Sequence, residues 1–221
     1  MLSPVNIGIL GATGPAGSAL AVRLASIGHS VIVGSRSKYR AMEVRDKLVG
    51  RWPDRELPIE AAANDVAAEA EIVVIATPWD GAAETAVGVK DRLDGKVVIS
   101  IANALARVGS EFQPLVPPRG SVAGHVQAAV PRARVAAAFH HVPATELGDL
   151  RNPVHSDVLV CSDHPSATEV TIGLIRDIPD LRPLDAGQLS NAAAIEAFTA
   201  VLLQLNSRYK TRVAVRFTGL D

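Results

Sequence analysis

Two stretches carry residues arranged to hold a phosphate-rich ligand. Residues 8–17 read GILGATGPAG, with Gly8, Gly11, Gly14 and Gly17 three apart. Glycine is costly in regular structure and useful where φ is positive or where another group must lie against the backbone. An apolar run precedes the stretch and a helix-like one follows. The glycines thus occupy a strand-to-helix turn, which presents main-chain N–H groups and the positive end of a helix dipole to an anion. Gly11 is placed to make the tight turn, and the glycines after it permit close approach of a phosphate or of helix to strand. The spacing departs from G-x-G-x-x-G: counted from Gly11, Thr13 and Ala16 stand at the second and third glycine positions, and Gly14 and Gly17 fall one place later. Thr13 offers its hydroxyl either to a phosphate or to the helix N-cap. Gly8, inside the strand, reads as a packing glycine.

The second stretch decides which dinucleotide fits. A site for NAD places an acidic residue about 20 residues past the glycine turn, on the ribose 2′-hydroxyl, whereas a 2′-phosphate needs hydroxyl and cationic donors. Here the chain reads GSRSKYR over 34–40, without a carboxylate. Ser35 and Arg36 are placed to grip a 2′-phosphate, Arg40 follows one helical turn on, and Lys38 is a secondary candidate; the guanidinium fork suits phosphate geometry. The alternative is a solvated basic helix start. Cations at a helix N-terminus oppose its dipole, however, and a bound anion relieves that conflict. The expected cofactor is NADP(H).

Three further segments end at the same sheet edge: ATPWDG after the fourth strand, SIANAL after the fifth and FHHVPA after the sixth. Loops at the carboxyl ends of parallel strands line the ligand crevice. Ala76, Thr77, Ala102 and Ala144 would give a small, mostly apolar lining suited to a flat ring. His140 and His141 are the titratable pair in these loops. Neighbours on a strand end point oppositely, so at most one faces the cleft, and a functional role for it stands beside a purely structural one; which of the two it would be stays open. No Tyr-x-x-x-Lys pair, serine elbow or His/Cys cluster of metal-ligand spacing occurs, and the single cysteine, Cys161, sits in the apolar run DVLVCS as a buried thiol. A nicotinamide enzyme without an evident acid–base pair suits hydride transfer between two cofactors. There the protein must stack two rings within roughly 3–3.5 Å and exclude water.

The elements that must position these groups follow from alternation. Apolar runs at 5–10, 30–35, 57–61, 71–78, the KVVISIA segment and ARVAAAFHH read as strands, separated by helical patterns near 15–27, 38–50, 62–70, 80–93 and 121–130. Such alternation implies parallel pairing through right-handed crossovers: an α/β fold, a Rossmann-type doubly wound parallel sheet. Residues 1–141 are assigned to an NADP-binding domain and 142–221 to a small C-terminal domain. The latter holds DVLVCS, a helix near 168–178, LRPLDA, an apolar helix over about 189–205 that is buried in its own core or in a subunit contact, and RVAVRF as an edge strand. The chain has 221 residues with 22 Lys and Arg against 23 Asp and Glu, so no long-range field for nucleic acid arises. No apolar run approaches the ~20 residues that span a bilayer, and no signal-peptide pattern opens the chain; a cytoplasmic protein is expected.

GILGATGPAG, GHSVIVGSR, ATPWDGA, AAFHHVPA, DVLVCSD and, most specific, LRPLDAGQLSNA together carry a resemblance over nearly the full length. The chain resembles the F420H2:NADP oxidoreductase family, NADPH-dependent reductases of the deazaflavin coenzyme F420. The resemblance implies hydride transfer between nicotinamide C4 and deazaflavin C5, with the C-terminal domain helping to form a hydrophobic cleft for coenzyme F420. It places NADP contacts on Thr13, Gly14, Pro15, Ala16, Ser35, Arg36, Arg40, Thr77 and Ala144, a cleft histidine with a catalytic role on His140, and a deazaflavin contact on Val213. It also implies a homodimer. Pro15 and Ala16 depart from the family's polar-plus-aliphatic pair, and IANALARVG lacks its proline-rich pattern. Two other readings stay open: a reductase of a small imine or hydroxy acid, for which the 142–221 segment is short, and an NADP-sensing protein without turnover.

Overall fold

The computed structural model describes residues 3–220. The chain opens with β1 (Asn6–Leu10), α1 (Pro15–Ser26), β2 (Ser30–Ser35), α2 (Lys38–Arg51), β3 (Ile59–Ala63), α3 (Asn64–Ala67) and β4 (Ile72–Ile75). It continues through α4 (Ala82–Val87), α5 (Lys90–Leu93), β5 (Val97–Ser100), the hairpin β6 (Leu105–Val108) and β7 (Glu111–Pro114), α6 (Val122–Ala129) and β8 (Arg134–Ala137). Last come α7 (Ala144–Leu147), β9 (Ser156–Ser162), α8 (Pro165–Arg176), β10 (Leu181–Asp185) and α9 (Ala192–Tyr209).

Among the described residues, eight strands form one sheet in the order β10-β9-β8-β5-β4-β1-β2-β3, with β6 and β7 paired apart from it. Neighbours run parallel except β8 and β9, which pair antiparallel. The order reverses at β1, so a switch point opens between the carboxyl ends of β1 and β4, where such sheets bind ligands. Successive residues of one strand serve opposite layers: Ile7 and Ile9 join one core and Leu10 the other, as do Ile72 and Val74 against Val73 and Ile75. That double burial explains the unbroken β-branched runs. Gly8 is a packing glycine, since a Cβ there would overlap the Ala67 carbonyl.

Residues 142–221 add β9 and β10 to the same sheet. The buried Arg23 guanidinium of α1 donates to the carbonyls of Leu147 (2.8 Å), Asp149 (2.8 Å) and Asn152 (3.1 Å), fastening the loop after α7 to the dinucleotide-type helix.

Several elements differ from the sequence expectation. The helix anticipated over 80–93 is a 3-10 turn at Trp79–Gly81 followed by α4 and α5, because Gly88 closes α4 between two β-branched valines. The 62–70 helix contracts to α3, its first residues being drawn into β3 beside β2. The β6–β7 hairpin turns at Gly109, whose φ is 62°. RVAVRF is not a strand. The Val215 carbonyl accepts one bond from the Asp157 N–H (2.7 Å), after which the tail is turned onto the Asp157 side chain. Of the two burials expected for α9, its own core covers only part of the helix: Phe198 and Val201 are exposed in the single chain.

Asp157 is the polar anchor of that tail. Its fully buried carboxylate accepts two bonds from Arg182 (2.8 Å each), one from Arg216 (3.1 Å) and one from the Phe217 N–H (2.6 Å). These donors, Arg182 foremost, hold its pKa down at about 2. A carboxyl depressed in the fold confers stability that is complete above pH ~4 and is lost as pH falls through the folded value, here on the order of 2 kcal/mol. Asp157→Asn is therefore expected to lower unfolding free energy by about that amount at neutral pH. It should also erase this part of the acid limb below pH ~4, as measured by denaturant titration across pH.

Candidate functional site

A cleft of about 600 Å3 lies along the carboxyl ends of β1, β2, β4 and β5. Gly11 turns the chain out of β1 with φ 73°, and a Cβ there would strike the Thr77 side chain. Gly17, one turn into α1, lies so near Ala12 and Ala76 that a Cβ would meet their atoms at 2.8 and 2.9 Å. Gly14 is the N-cap of α1 and faces open space. α1 begins with Pro15 and has no side-chain cap, so the Thr13 hydroxyl does not cap it. The N–H groups of Ala16 and Gly17 precede the first intrahelical partners. A backbone cradle is thus left open to an anion, as the glycine spacing anticipated.

The basic end is equally exposed. Arg36 and Arg40 line the cleft with Thr13, Gly14, Pro15 and Ala16. Neither guanidinium has an ion-pair partner among the described residues. Ser37 caps α2 by accepting from the Arg40 N–H (3.4 Å), and no acidic residue occupies that helix's first turn. Ser35 is buried, its hydroxyl accepting from the Ser37 N–H (3.3 Å), so it shapes the turn that presents Arg36. A second cavity of about 520 Å3 shares Arg36, Asn64, Thr77 and Pro78 and extends toward α4.

At the other end the wall is Trp79, Ile101, Ala102, Asn103 and Leu105, with Thr77 between the two ends. The Thr77 hydroxyl is buried and has no hydrogen-bond partner, leaving one polar group for a ligand to satisfy. His140 stands behind this wall, buried against the main chain of Ala102 and Ile101. Main-chain groups of Ala102 and Ile101 are its polar neighbours, and neither ring nitrogen makes a well-aligned hydrogen bond with them. Burial, reinforced by His141, pushes its pKa down to about 3, so the imidazole is neutral. His141 points the other way: its Nε2 pairs with the Asp157 carbonyl (2.8 Å), and burial lowers its pKa too. Of the pair, His140 is the one beside the cleft.

Two anticipated residues stand apart from the cleft. Ala144 begins α7 and borders a smaller groove of about 200 Å3 against α1 and α2, which it shares with Pro15. Val213 is half-buried in the tail beyond α9, its N–H donating to Asn206 Oδ1 (2.7 Å). Sequence reasoning passed over Asn64, Trp79 and Asn103. Asn64 lines both cavities and accepts from the Gly11 N–H (3.3 Å), holding the turn in place from 53 residues away. No local pattern marks it. The cleft offers an uncapped helix N-terminus, two unpaired guanidiniums and an apolar wall with a neutral histidine behind it. This suits an anionic dinucleotide with an extra phosphate on its adenosine half, and it provides no charged acid or base for the ring end.

Comparison with known proteins agrees. A family model described as NADP oxidoreductase, coenzyme F420-dependent, matches residues 6–104. The F420-dependent NADP reductase of Methanocaldococcus jannaschii is 36% identical over 98% of this chain and 100% of its own. That of Methanothermobacter marburgensis is 34% identical over 98% and 99%. In fold, a provisionally assigned F420-dependent NADP reductase from Arthrobacter sp. FB24 superposes with a TM-score of 0.82 at 22% identity, covering 96% of this chain and 100% of that one. A Sinorhizobium meliloti protein, SMa0349, superposes with 0.71 at 24% identity, over 89% and 91%. The likeness thus runs from the glycine turn through the strands added after β8, and the chain belongs to the family of F420-dependent NADP reductases.

Proposed function

We propose that this protein transfers a hydride between NADP(H) and coenzyme F420. The observation that carries the reading is the two-ended cleft, with unpaired Arg36 and Arg40 beside the open Gly14 turn at one end and an apolar wall without an ionised side chain at the other. When bound, the two coenzymes supply the redox chemistry. The chain's part is placement. The N–H groups of Ala16 and Gly17 and the Thr13 hydroxyl hold the pyrophosphate, Arg36 and Arg40 hold the 2′-phosphate on the turn that Ser35 shapes, and Thr77 orients the nicotinamide half. Trp79, Ala102 and Leu105 exclude water along the ring faces. His140 acts there as a neutral group, because its burial makes an imidazolium too costly for proton donation. In this reading residues 1–141 form the NADP(H) domain, Ala144 adds an NADP(H) contact near the rings, and 142–221, through Val213, contribute to the deazaflavin side.

The same proposal includes a cytoplasmic homodimer. Its support is an apolar stripe on α9, where Ala194, Phe198, Val201 and Leu205 follow helical spacing and Phe198 and Val201 are 38% and 51% exposed. Among the described residues no helix is long and apolar enough to cross a membrane.

Four measurements test the reading. Mixing the protein with NADPH and oxidised coenzyme F420 should bleach the deazaflavin's visible absorbance. The kcat profile should show no ionisation limb from His140 between pH 5 and 8, whereas a limb near the usual histidine value of about 6.5, lost in His140→Gln, would refute the neutral assignment. Clean NADPH binding without bleaching would refute the activity. Arg36→Glu should raise the Kd for NADPH by about 100-fold or more while changing that for NADH by less than about 3-fold, by fluorescence titration; equal effects would refute the 2′-phosphate site. Light scattering should give the mass of a dimer for the parent chain and of a monomer for Val201→Glu.

A further inference from the structure

Three segments far apart in sequence meet at one carbonyl oxygen beside the cleft. The His140 carbonyl accepts from Asn103 Nδ2 (2.9 Å) and from Thr199 Oγ1 (3.1 Å), and Thr199 Oγ1 also lies 3.4 Å from Asn103 Oδ1. Asn103 belongs to the loop after β5 and lines the cleft, His140 to the turn after β8, and Thr199 to α9. The carbonyl they hold follows Phe139, a buried residue with φ 63°. A side chain other than glycine keeps that conformation only when its surroundings over-determine it. Released from its two donors, the turn has reason to relax, and the His140 ring would move with it, shifting against the Ile101 and Ala102 main chain that it meets. Ile101 and Ala102, against which that ring packs, form the wall of the cleft.

α9 is itself anchored nearby. Glu196, three residues before Thr199, is buried and accepts from the N–H groups of Val122 (2.8 Å) and Ala123 (3.1 Å) at the start of α6. Thr199 is therefore presented from a fixed support. Arg36 and Arg40 occupy the β2 end of the cleft, so a dinucleotide lying across the sheet edge brings its nicotinamide half toward the β5 loop.

We propose that Asn103 and Thr199 are positioning residues for hydride transfer, acting through the His140 carbonyl to fix the wall against which the nicotinamide ring stacks. This rests on the NADP reading above. A misplacement of about 1 Å at the reacting atoms is worth up to 100-fold in rate, with little effect on affinity set at the phosphate end.

The test compares Thr199→Val, which removes the hydroxyl at constant shape, with Thr199→Ser, which keeps it, and with Asn103→Asp, which replaces the donor amide by an acceptor. Two readouts are taken: the fluorescence lifetime of bound NADPH, which shortens as the nicotinamide ring gains freedom, and the single-turnover rate with coenzyme F420. Thr199→Val and Asn103→Asp are expected to shorten the lifetime and to slow the single turnover by about 10-fold or more, with the Kd for NADPH within about 2-fold and Thr199→Ser close to the parent. Parent-like lifetimes in both variants would overturn the inference, as would a loss shared by Thr199→Ser or a matching loss of NADPH affinity. If Asn103→Asp does not fold, the threonine pair decides alone. The lifetime requires only NADPH, so an inactive parent enzyme would count against the proposed reaction and not against this positioning role.

Discussion

The cleft depends on how closely α1 can be pressed against the carboxyl end of the sheet. At Gly11 the chain reverses directly over Thr77, and at Gly17 the helix rests on Ala12 and Ala76 with no room for a single methyl group. Any Cβ at either position would lift α1 and carry the N–H groups of its first turn away from the crevice between β1 and β4. Packing density and ligand binding are the same constraint here, because the surface that receives the phosphates is the surface that makes the contact. Asn64 completes it by holding the Gly11 N–H. Arg23, at the other end of α1, ties that helix to the loop after β8. The helix is therefore fixed at both ends before any ligand arrives.

Charge is handled in two opposite ways. At the tail, Asp157 is wholly buried and satisfied by two arginines and a main-chain N–H, so its charge is spent on joining residues 212–220 to β9 and β10. At the cleft, Arg36 and Arg40 are left without carboxylates at a helix end whose dipole disfavours them. A protein of nearly balanced charge has no general attraction for anions. Selectivity for a 2′-phosphate must then come from such local imbalance. The ring end has the reverse character: its histidine is neutral through burial, and the wall before it is mostly apolar. In the proposed reading, binding energy and chemistry are separated along one cleft, with ionic contacts at the adenosine half and stacking at the other.

Much of this was legible in the chain. The glycine turn, the carboxylate-free GSRSKYR segment and the continuous apolar strands each express a local rule, and the structure places Gly11, Thr13, Gly14, Pro15, Ala16, Arg36, Arg40 and Thr77 around one cavity. The hairpin at 105–114 had only Gly109-Ser110 as a local signal, because the flanking LARV and EFQP contain few residues favoured in strands. RVAVRF misled for a physical reason. Its alternation is that of an edge strand, yet Arg216 and the Phe217 N–H are turned to the buried Asp157 carboxylate, a partner that no local pattern reveals. The apolar circumference of α9 left own core and subunit contact open as its cover, and the single chain covers only part of it.

The sequence by itself determined the layered sheet, the open glycine turn and the carboxylate-free basic start of α2, because each depends on residues within one turn or strand of one another. Tertiary structure alone decided that His140 packs behind the cleft wall while His141 turns to Asp157, that Ala144 and Val213 lie outside the main cavity, that Asn64 lines it, and that Asn103 and Thr199 converge on the His140 carbonyl. Those outcomes depend on which strands become neighbours and on where β9 reverses direction beside β8. A hydrogen bond between residues 37 or 59 positions apart leaves no periodic trace in the chain that makes it.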